Sequence, residues 1–291
     1  MLDHLPLTMV QKSLYDWRYQ ESKHKMAKDN CAGQCTTVSK CDIFDFMAKY
    51  VGMTVIHPGG FAATRQLIKA LEVSRNSRVI DIACGKGTTA ILLAEKFGCE
   101  VVGVDIAPEL IDVAVHLAKK KGLSGKITFQ VGDALSLPFN DAEFDVAISQ
   151  AMLVLIEDKV KAIQEAKRVI KPNGLAGWLE LSWKKAIPPE FIRILSDVIC
   201  AYCMTNVQTF DGWRKIFDAA GIPEVSVIPL DFSPSGGGIM SMLKDEGFFR
   251  TINILKNISK SPEIKARMQA MRRYFKDYKD YFACGIYTFR K

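Results

Sequence analysis

From residue 78 onward, short apolar runs alternate with longer amphipathic ones. RVIDIA (78–83), CEVVGVDI (99–106), KITFQVGDA (126–134), FDVAISQ (144–150) and LAGWLELSW (175–183) have strand length and strand composition. Between them, TTAILLAEKFG (88–98), PELIDVAVHLAKKKG (108–122) and DKVKAIQEAKRVI (158–170) repeat their apolar positions at helical spacing. Gly98 and Gly122 stop two of these helices, Pro108 sits in the first turn of one, and KPNG (171–174) reads as a turn before the fifth strand. Strands alternating with helices of this length predict an α/β fold with a parallel, doubly wound sheet and right-handed crossovers.

On either side of this core the rhythm loosens. The first 60 residues read as a helical lead-in, with a polar middle (KHKMAKDNCAGQCTTVSKCD), then IFDFMAKYVG at helical spacing, then the breaker HPGG at 57–60. FAATRQLIKALEV (61–73) follows as an amphipathic helix. After residue 184, PPEFIRILSDVICAYCM predicts a helix, and so does TFDGWRKIFDAAG, with Thr209 as N-cap and Gly221 as stop. EVSVIPLDF and FACGIYTFRK predict the last two strands, separated by SPSGGG and a long helical stretch. There Ile264, Met268, Met271 and Phe275 form one apolar stripe. Three regions result: a lead-in or lid over 1–60, a ligand-binding core over 61–183, and 184–291, which completes the sheet and carries helical insertions.

Composition bounds the class. The 291 residues are 48% hydrophobic and 24% charged, and no apolar run approaches the roughly 20 residues that span a bilayer. The N-terminal MLDHLPLTMVQKSLYDW lacks the basic-then-apolar pattern of a secretion signal, so a cytoplasmic location is expected. The net charge of +7 is concentrated in residues 256–291, which hold ten Lys or Arg against three Asp or Glu. The rest of the chain is neutral, unlike a protein basic all over, and no nucleic-acid partner is expected. Eight cysteines include Cys31, Cys35 and Cys41 and the pair Cys200 and Cys203. A zinc site would need ligands from distant segments, so reduced, mostly buried thiols and no metal are expected.

The chemistry begins at VIDIACGKGTTA, residues 79–90. Gly85, Gly87 and Ala90 have the spacing of a dinucleotide-binding turn, yet Asp81 stands at its mouth. A carboxylate a few ångströms from a pyrophosphate is repelled, by several kcal/mol in a partly dry site. A ligand that is cationic there is attracted instead. S-adenosylmethionine has an ammonium group and a sulfonium and no phosphate. The competing reading is that Asp81 caps the next helix or binds the turn's amides. Asp105 ends the second strand, 18 residues past Gly87, where an acid accepts hydrogen bonds from ribose hydroxyls. Asp133 ends the third strand and suits the exocyclic amine of adenine.

These motifs, in this order, resemble class I S-adenosylmethionine-dependent methyltransferases, in particular the small-molecule group that includes ubiquinone and menaquinone C-methyltransferases. The resemblance rests on VIDIACGKG, VVGVD, GDALSLPF, FDVAISQAMLVLIED, RVIKPNG and the closing GIYTFRK. It implies a Rossmann-like, seven-stranded sheet with its last strand antiparallel. It also implies that Asp81, Ala83, Gly85 and Gly87 hold the methionine half of the cofactor. Asp105 would then bind the ribose, Ile106 would pack on adenine, and Asp133 and Ala134 would line its pocket. Ser149 and Gln150 would face the methionine moiety and the acceptor. The family usually has Gly where this chain has Ala83. HPGGFAATRQLI also resembles segments that cover the cofactor in some members, which makes His57, Gly59 and Gly60 candidate lid residues.

Methyl transfer from a sulfonium is an in-line displacement, in which positioning supplies up to roughly 7–11 kcal/mol. A base is needed only if the nucleophile must lose a proton. His57 is the best of four histidines for that role and Glu180 a weaker candidate. Trp183, Phe191, Tyr202, Phe248 and Phe249 suggest an apolar lining for a small-molecule acceptor. Alternatives are an arsenite or other thiol-bound metalloid methyltransferase, an RNA or protein methyltransferase, an NAD-dependent oxidoreductase and a non-catalytic cofactor-binding module. The metalloid enzymes carry a cysteine just past the fourth strand, where this chain has SQAM.

Overall fold

A computed structural model describes residues 46–188, 202–232 and 239–291, together with Ile43 and Phe191. The lead-in over 1–42, most of the helix expected over 188–204, and the SPSGGG stretch lie outside the described residues.

The alternation read from the sequence becomes one sheet. Its strands are β1 (Arg78–Ile82), β2 (Glu100–Asp105), β3 (Ile127–Val131), β4 (Phe144–Gln150), β5 (Ile170–Trp183), β6 (Gln208–Thr209), β7 (Ser226–Asp231) and β8 (Phe282–Arg290). The order is β3-β2-β1-β4-β5-β8-β7. Within β3-β2-β1-β4-β5 every pairing is parallel, and β8 lies antiparallel between β5 and β7. The expected seven strands with the last antiparallel are present. The two-residue β6, pairing with the end of β5, is an addition. KPNG, expected as a turn, lies inside β5: Phe144 pairs with Ile170, and the register then jumps so that Val146 pairs with Leu175. Asn173 takes a φ of 64° in this bulge.

Helices α1 (Gly60–Ala70), α2 (Thr88–Phe97), α3 (Pro108–Lys120), α4 (Lys159–Val169) and α5 (Phe210–Ala219) pack about the sheet. Their ends follow the predicted chemistry. Gly98 closes α2 in the left-handed conformation, Asp158 caps α4 through the Lys161 amide, and the Thr209 hydroxyl caps α5 through the Gly212 amide. Central strands bury both faces, and so β1 and β4 are mostly apolar rather than alternating apolar and polar.

Three helices fill the stretch between β7 and β8: α6 (Ile239–Glu246), α7 (Phe248–Lys260) and α8 (Pro262–Asp277). Met271 of the predicted stripe is buried and Ile264, Met268 and Phe275 pack against the core, but the most buried side chain of α8 is Tyr274, outside the stripe. Tyr274 joins Trp183, Phe191, Tyr278 and Phe282 in an aromatic cluster with ring centroids 4.3–6.3 Å apart. Trp183 and Phe191 are therefore core residues, not an acceptor lining. Helix α7 runs against a π-helical turn, Phe46–Val51, through a hydrogen bond from Asn257 to the Val51 carbonyl.

Candidate active site

In a parallel sheet, ligands sit beyond the carboxyl ends of the strands where strand order reverses, here between β1 and β4. Register aligns the tips. Ile82 pairs with Val104 on one side and Ser149 on the other, and Asp105 pairs with Val131. Asp81, Asp105, Asp133, Ser149 and Gln150 thus come to one rim.

Asp81 is buried between Gly103 and Ile148. It receives a hydrogen bond from the Ala90 amide in the first turn of α2, whose N-cap, Gly87, has no side chain to do this. Its Oδ2 has no hydrogen-bond partner. One hydrogen bond thus caps the helix, and one oxygen is left over. Burial, then the nearby Asp105 carboxylate, push its pKa up to about 7, against the Ala90 amide. A buried carboxylate oxygen without a partner is costly, and a cationic donor placed there relieves it.

The turn after Asp81 is shaped by left-handed backbone. Ala83, Gly85 and Gly87 have φ of 58°, 53° and 73°. A Cβ on Gly85 would meet nothing within 4 Å, whereas one on Gly87 would lie 2.5 Å from the Phe129 ring. Space therefore opens above Gly85 while Gly87 lets the turn seat on β3. Asp105 holds this turn in place: its Oδ2 accepts from the Gly85 amide at 2.8 Å and its Oδ1 from the Ala107 amide at 3.0 Å. Each oxygen keeps further acceptor capacity. Beside it, Ile106 is 70% exposed, and Val131, on the adjoining strand, 50%. Asp133 is exposed, with its Oδ1 on the Leu135 amide, and Ala134 is half-buried next to it.

Ser149 and Gln150 diverge. Ser149 is fully buried and donates to the Ile82 carbonyl at 2.9 Å, so its hydroxyl stitches β4 to β1. Gln150 donates to the Thr89 hydroxyl at 2.8 Å, and its carbonyl oxygen accepts from the Thr64 hydroxyl at 2.9 Å. That hydroxyl also lies 3.2 Å from His57 Nε2. His57, Thr64, Gln150 and Thr89 form a continuous polar chain from the lead-in across α1 to α2. Burial lowers the His57 pKa to about 4, against a hydrogen bond to the Pro58 carbonyl, so the imidazole is neutral at physiological pH.

The segment bearing His57 is clamped by the end of α6. Glu246 Oε1 accepts from the Thr54 and Val55 amides at 2.7 and 3.0 Å, and its Oε2 from the Thr54 hydroxyl at 2.6 Å. Asp245 accepts from the Phe61 amide at 3.2 Å, in the first turn of α1. Lys86, inside the glycine turn, donates to the Ala48 carbonyl at 3.3 Å. Thr64, Asp245 and Glu246 had no signal in the sequence. They are ordinary residues whose partners lie up to 192 positions away.

Other candidates fall elsewhere. Glu180 is fully buried and accepts from the Met152 and Leu153 amides, holding the turn that follows β4. Burial raises its pKa to about 8. Phe248 and Phe249 are largely exposed. Cys84, Cys99 and Cys284 are buried, and burial pushes all three thiols up. Among the described residues no group of three or more His, Cys, Asp or Glu could hold a metal ion. Nothing there supports the metalloid alternative. Cys31, Cys35, Cys41 and Cys200, with the Cys203 side chain, lie outside the described residues.

A family model described as a methyltransferase domain matches residues 73–221, just over half of the chain. The chain belongs to that family. It is a class I, S-adenosylmethionine-dependent methyltransferase, and neither the oxidoreductase nor the non-catalytic alternative finds support. It is 36% identical to an uncharacterized protein of Haemophilus influenzae, over 81% of this chain and 91% of that one. To norajmaline N-methyltransferase of Rauvolfia serpentina it is 29% identical, over 55% of this chain and 61% of that one. The methyltransferase of Thiobacillus denitrificans, solved with S-adenosylhomocysteine, shares its fold with a TM-score of 0.62. That structure is 17% identical, over 86% of this chain and 98% of that one.

Proposed function

We propose that this methyltransferase holds its cofactor along the rim described above and methylates a small, partly apolar molecule beneath the His57 segment. The observation that carries the reading is the buried Asp81 oxygen without a partner, placed where the cofactor's ammonium group belongs. Backbone groups of Ala83 and Gly85 border the open space at the turn, and Asp105 has acceptor capacity left for ribose hydroxyls. Ile106 and Val131 offer exposed aliphatic surface to adenine, and Asp133 an acceptor to its amine. Ser149 acts through the backbone it ties down, and Gln150 reaches the methionine end through its amide.

Bound there, the cofactor supplies a methyl group on sulfonium for in-line displacement. The protein's own work is to align and to exclude water. With a pKa near 4, His57 is a weak base. Its place in the chain through Thr64 to Gln150 makes it a positioning residue that orients the Gln150 amide. The acceptor meets the lead-in segment and the α6–α7 cap, which the Glu246 clamp joins into one roof.

Isothermal titration of S-adenosylmethionine tests this. Asp81→Asn should weaken binding by roughly a hundredfold, because a buried charge pair loses one partner. Unchanged affinity in the variant, or tighter binding of NADH by the native chain, would reject the assignment.

A further inference from the structure

The charge and apolar surface of the cap are sorted in a way the reaction does not require. Between Ile239 and Lys260 there are two acids and four bases. Both acids turn inward: Glu246 is buried on Thr54 and Val55, and Asp245 is half-buried on the start of α1. The four bases, Lys244, Arg250, Lys256 and Lys260, are all exposed. The outer face of α6 and α7 therefore presents positive charge only.

Four of the most exposed large apolar side chains belong to the same two helices. Phe249 is 81% exposed, Met240 66%, Phe248 62% and Ile239 58%. Gly247, Phe248, Phe249 and Arg250 form an unbroken exposed run, and the two rings meet edge to face 5.6 Å apart. Leaving two phenylalanines in water where polar residues would serve the helix equally well is unfavourable for a free surface. Aromatic and aliphatic side chains flanked by Lys and Arg, with no exposed acid between residues 239 and 260, match the interface of an anionic bilayer. None of the described helices is long and apolar enough to cross a membrane, so the contact is a surface one.

We propose that the α6–α7 tip is a docking site for an anionic membrane surface, with Phe248 and Phe249 entering the headgroup region and Lys244, Arg250 and Lys256 pairing with lipid phosphates. Because α6 also clamps the His57 segment, the site would open at the bilayer and draw an apolar acceptor from it. The docking itself does not depend on the acceptor's identity or on the residues assigned to the cofactor.

Co-sedimentation of the full chain with vesicles tests this. Native protein should pellet with phosphatidylcholine vesicles containing phosphatidylglycerol, and not with phosphatidylcholine alone. High salt should release it. Phe248→Ser with Phe249→Ser should weaken the binding about tenfold or more, since both rings lose their burial. Lys244→Glu with Lys256→Glu should abolish the preference for anionic lipid. Cofactor affinity, measured in parallel, should be unchanged in both variants, which separates lost docking from misfolding and from failure of the active-site assignment. Native binding absent, equal on both vesicle types, or unaffected by the Phe248 and Phe249 changes would overturn the proposal. So would a dimer that the same changes dissociate, because a second copy would then be the occupant.

Discussion

At the scale of single residues, Asp81 sets stability against binding. Its pKa in the folded chain, about 7, lies above the 3.8 of an exposed aspartate. A raised carboxylate contributes stability that is full at low pH and is lost as the pH rises through the folded value. The cofactor-free protein should therefore lose stability between about pH 4 and 8, by up to about 4 kcal/mol from this group. Asp81→Asn should flatten that slope in thermal melts while weakening cofactor binding. For the native chain the same titration predicts that S-adenosylmethionine binds more tightly as the pH rises from 5 toward 7, in calorimetry. The glycine turn supplies a second test. A methyl group on Gly87 meets the Phe129 ring and adds strain at φ 73°. Gly87→Ala should lower stability by about 2 kcal/mol or more in denaturant melts. Ala83 already bears a left-handed φ with a Cβ, and Ala83→Gly should leave both stability and cofactor affinity nearly unchanged.

At the scale of elements, the lead-in segment is held by a helix from the far end of the chain. Three donors of Thr54 and Val55 converge on the Glu246 carboxylate. Hydrogen bonds to a charged group are worth about 1.5–3 kcal/mol each in a buried setting. Glu246→Gln keeps the size but cannot accept on both ends, because its amide nitrogen only donates. It should speed hydrogen exchange at the Thr54 and Val55 amides by about tenfold or more and raise the acceptor KM more than it lowers kcat. Unchanged exchange at those amides would mean that the segment is held by other contacts.

For the molecule as a whole, cofactor binding and folding are linked. A ligand held only by the folded chain stabilises it by about 2.7 kcal/mol at a hundred times its Kd. The melting temperature should therefore rise with added S-adenosylmethionine, and not with NADH. At the same cofactor concentration the rise should be much smaller in Asp81→Asn. The +7 charge of the last 36 residues spreads over α8, β8 and the end of α7. Some of it is used internally, as where Arg267 lies 4.0 Å over the Phe46 ring.

Much of this was legible before the fold was seen, because strands buried on both faces and glycine-stopped helices obey local rules. FDVAISQ is β4 residue for residue, and Thr209 caps α5 as its position suggested. Asp81, Asp105 and Asp133 were readable as three acids at one rim because parallel strands bring their carboxyl ends together. KPNG misled because turn chemistry also serves a bulge inside β5. Trp183 and Phe191 looked like lining because composition cannot tell a cluster facing a cavity from one facing itself. The sequence alone determined the sheet, its order of elements and the acids along its edge, since each depends on residues close in the chain. Tertiary structure decided which oxygen of Asp81 was left unpaired, how His57 reaches Gln150 through Thr64, and which acids of the cap turn inward. The Thr64–Gln150 bond and the Glu246 clamp join residues 86 and 192 positions apart, which only packing brings within hydrogen-bond range.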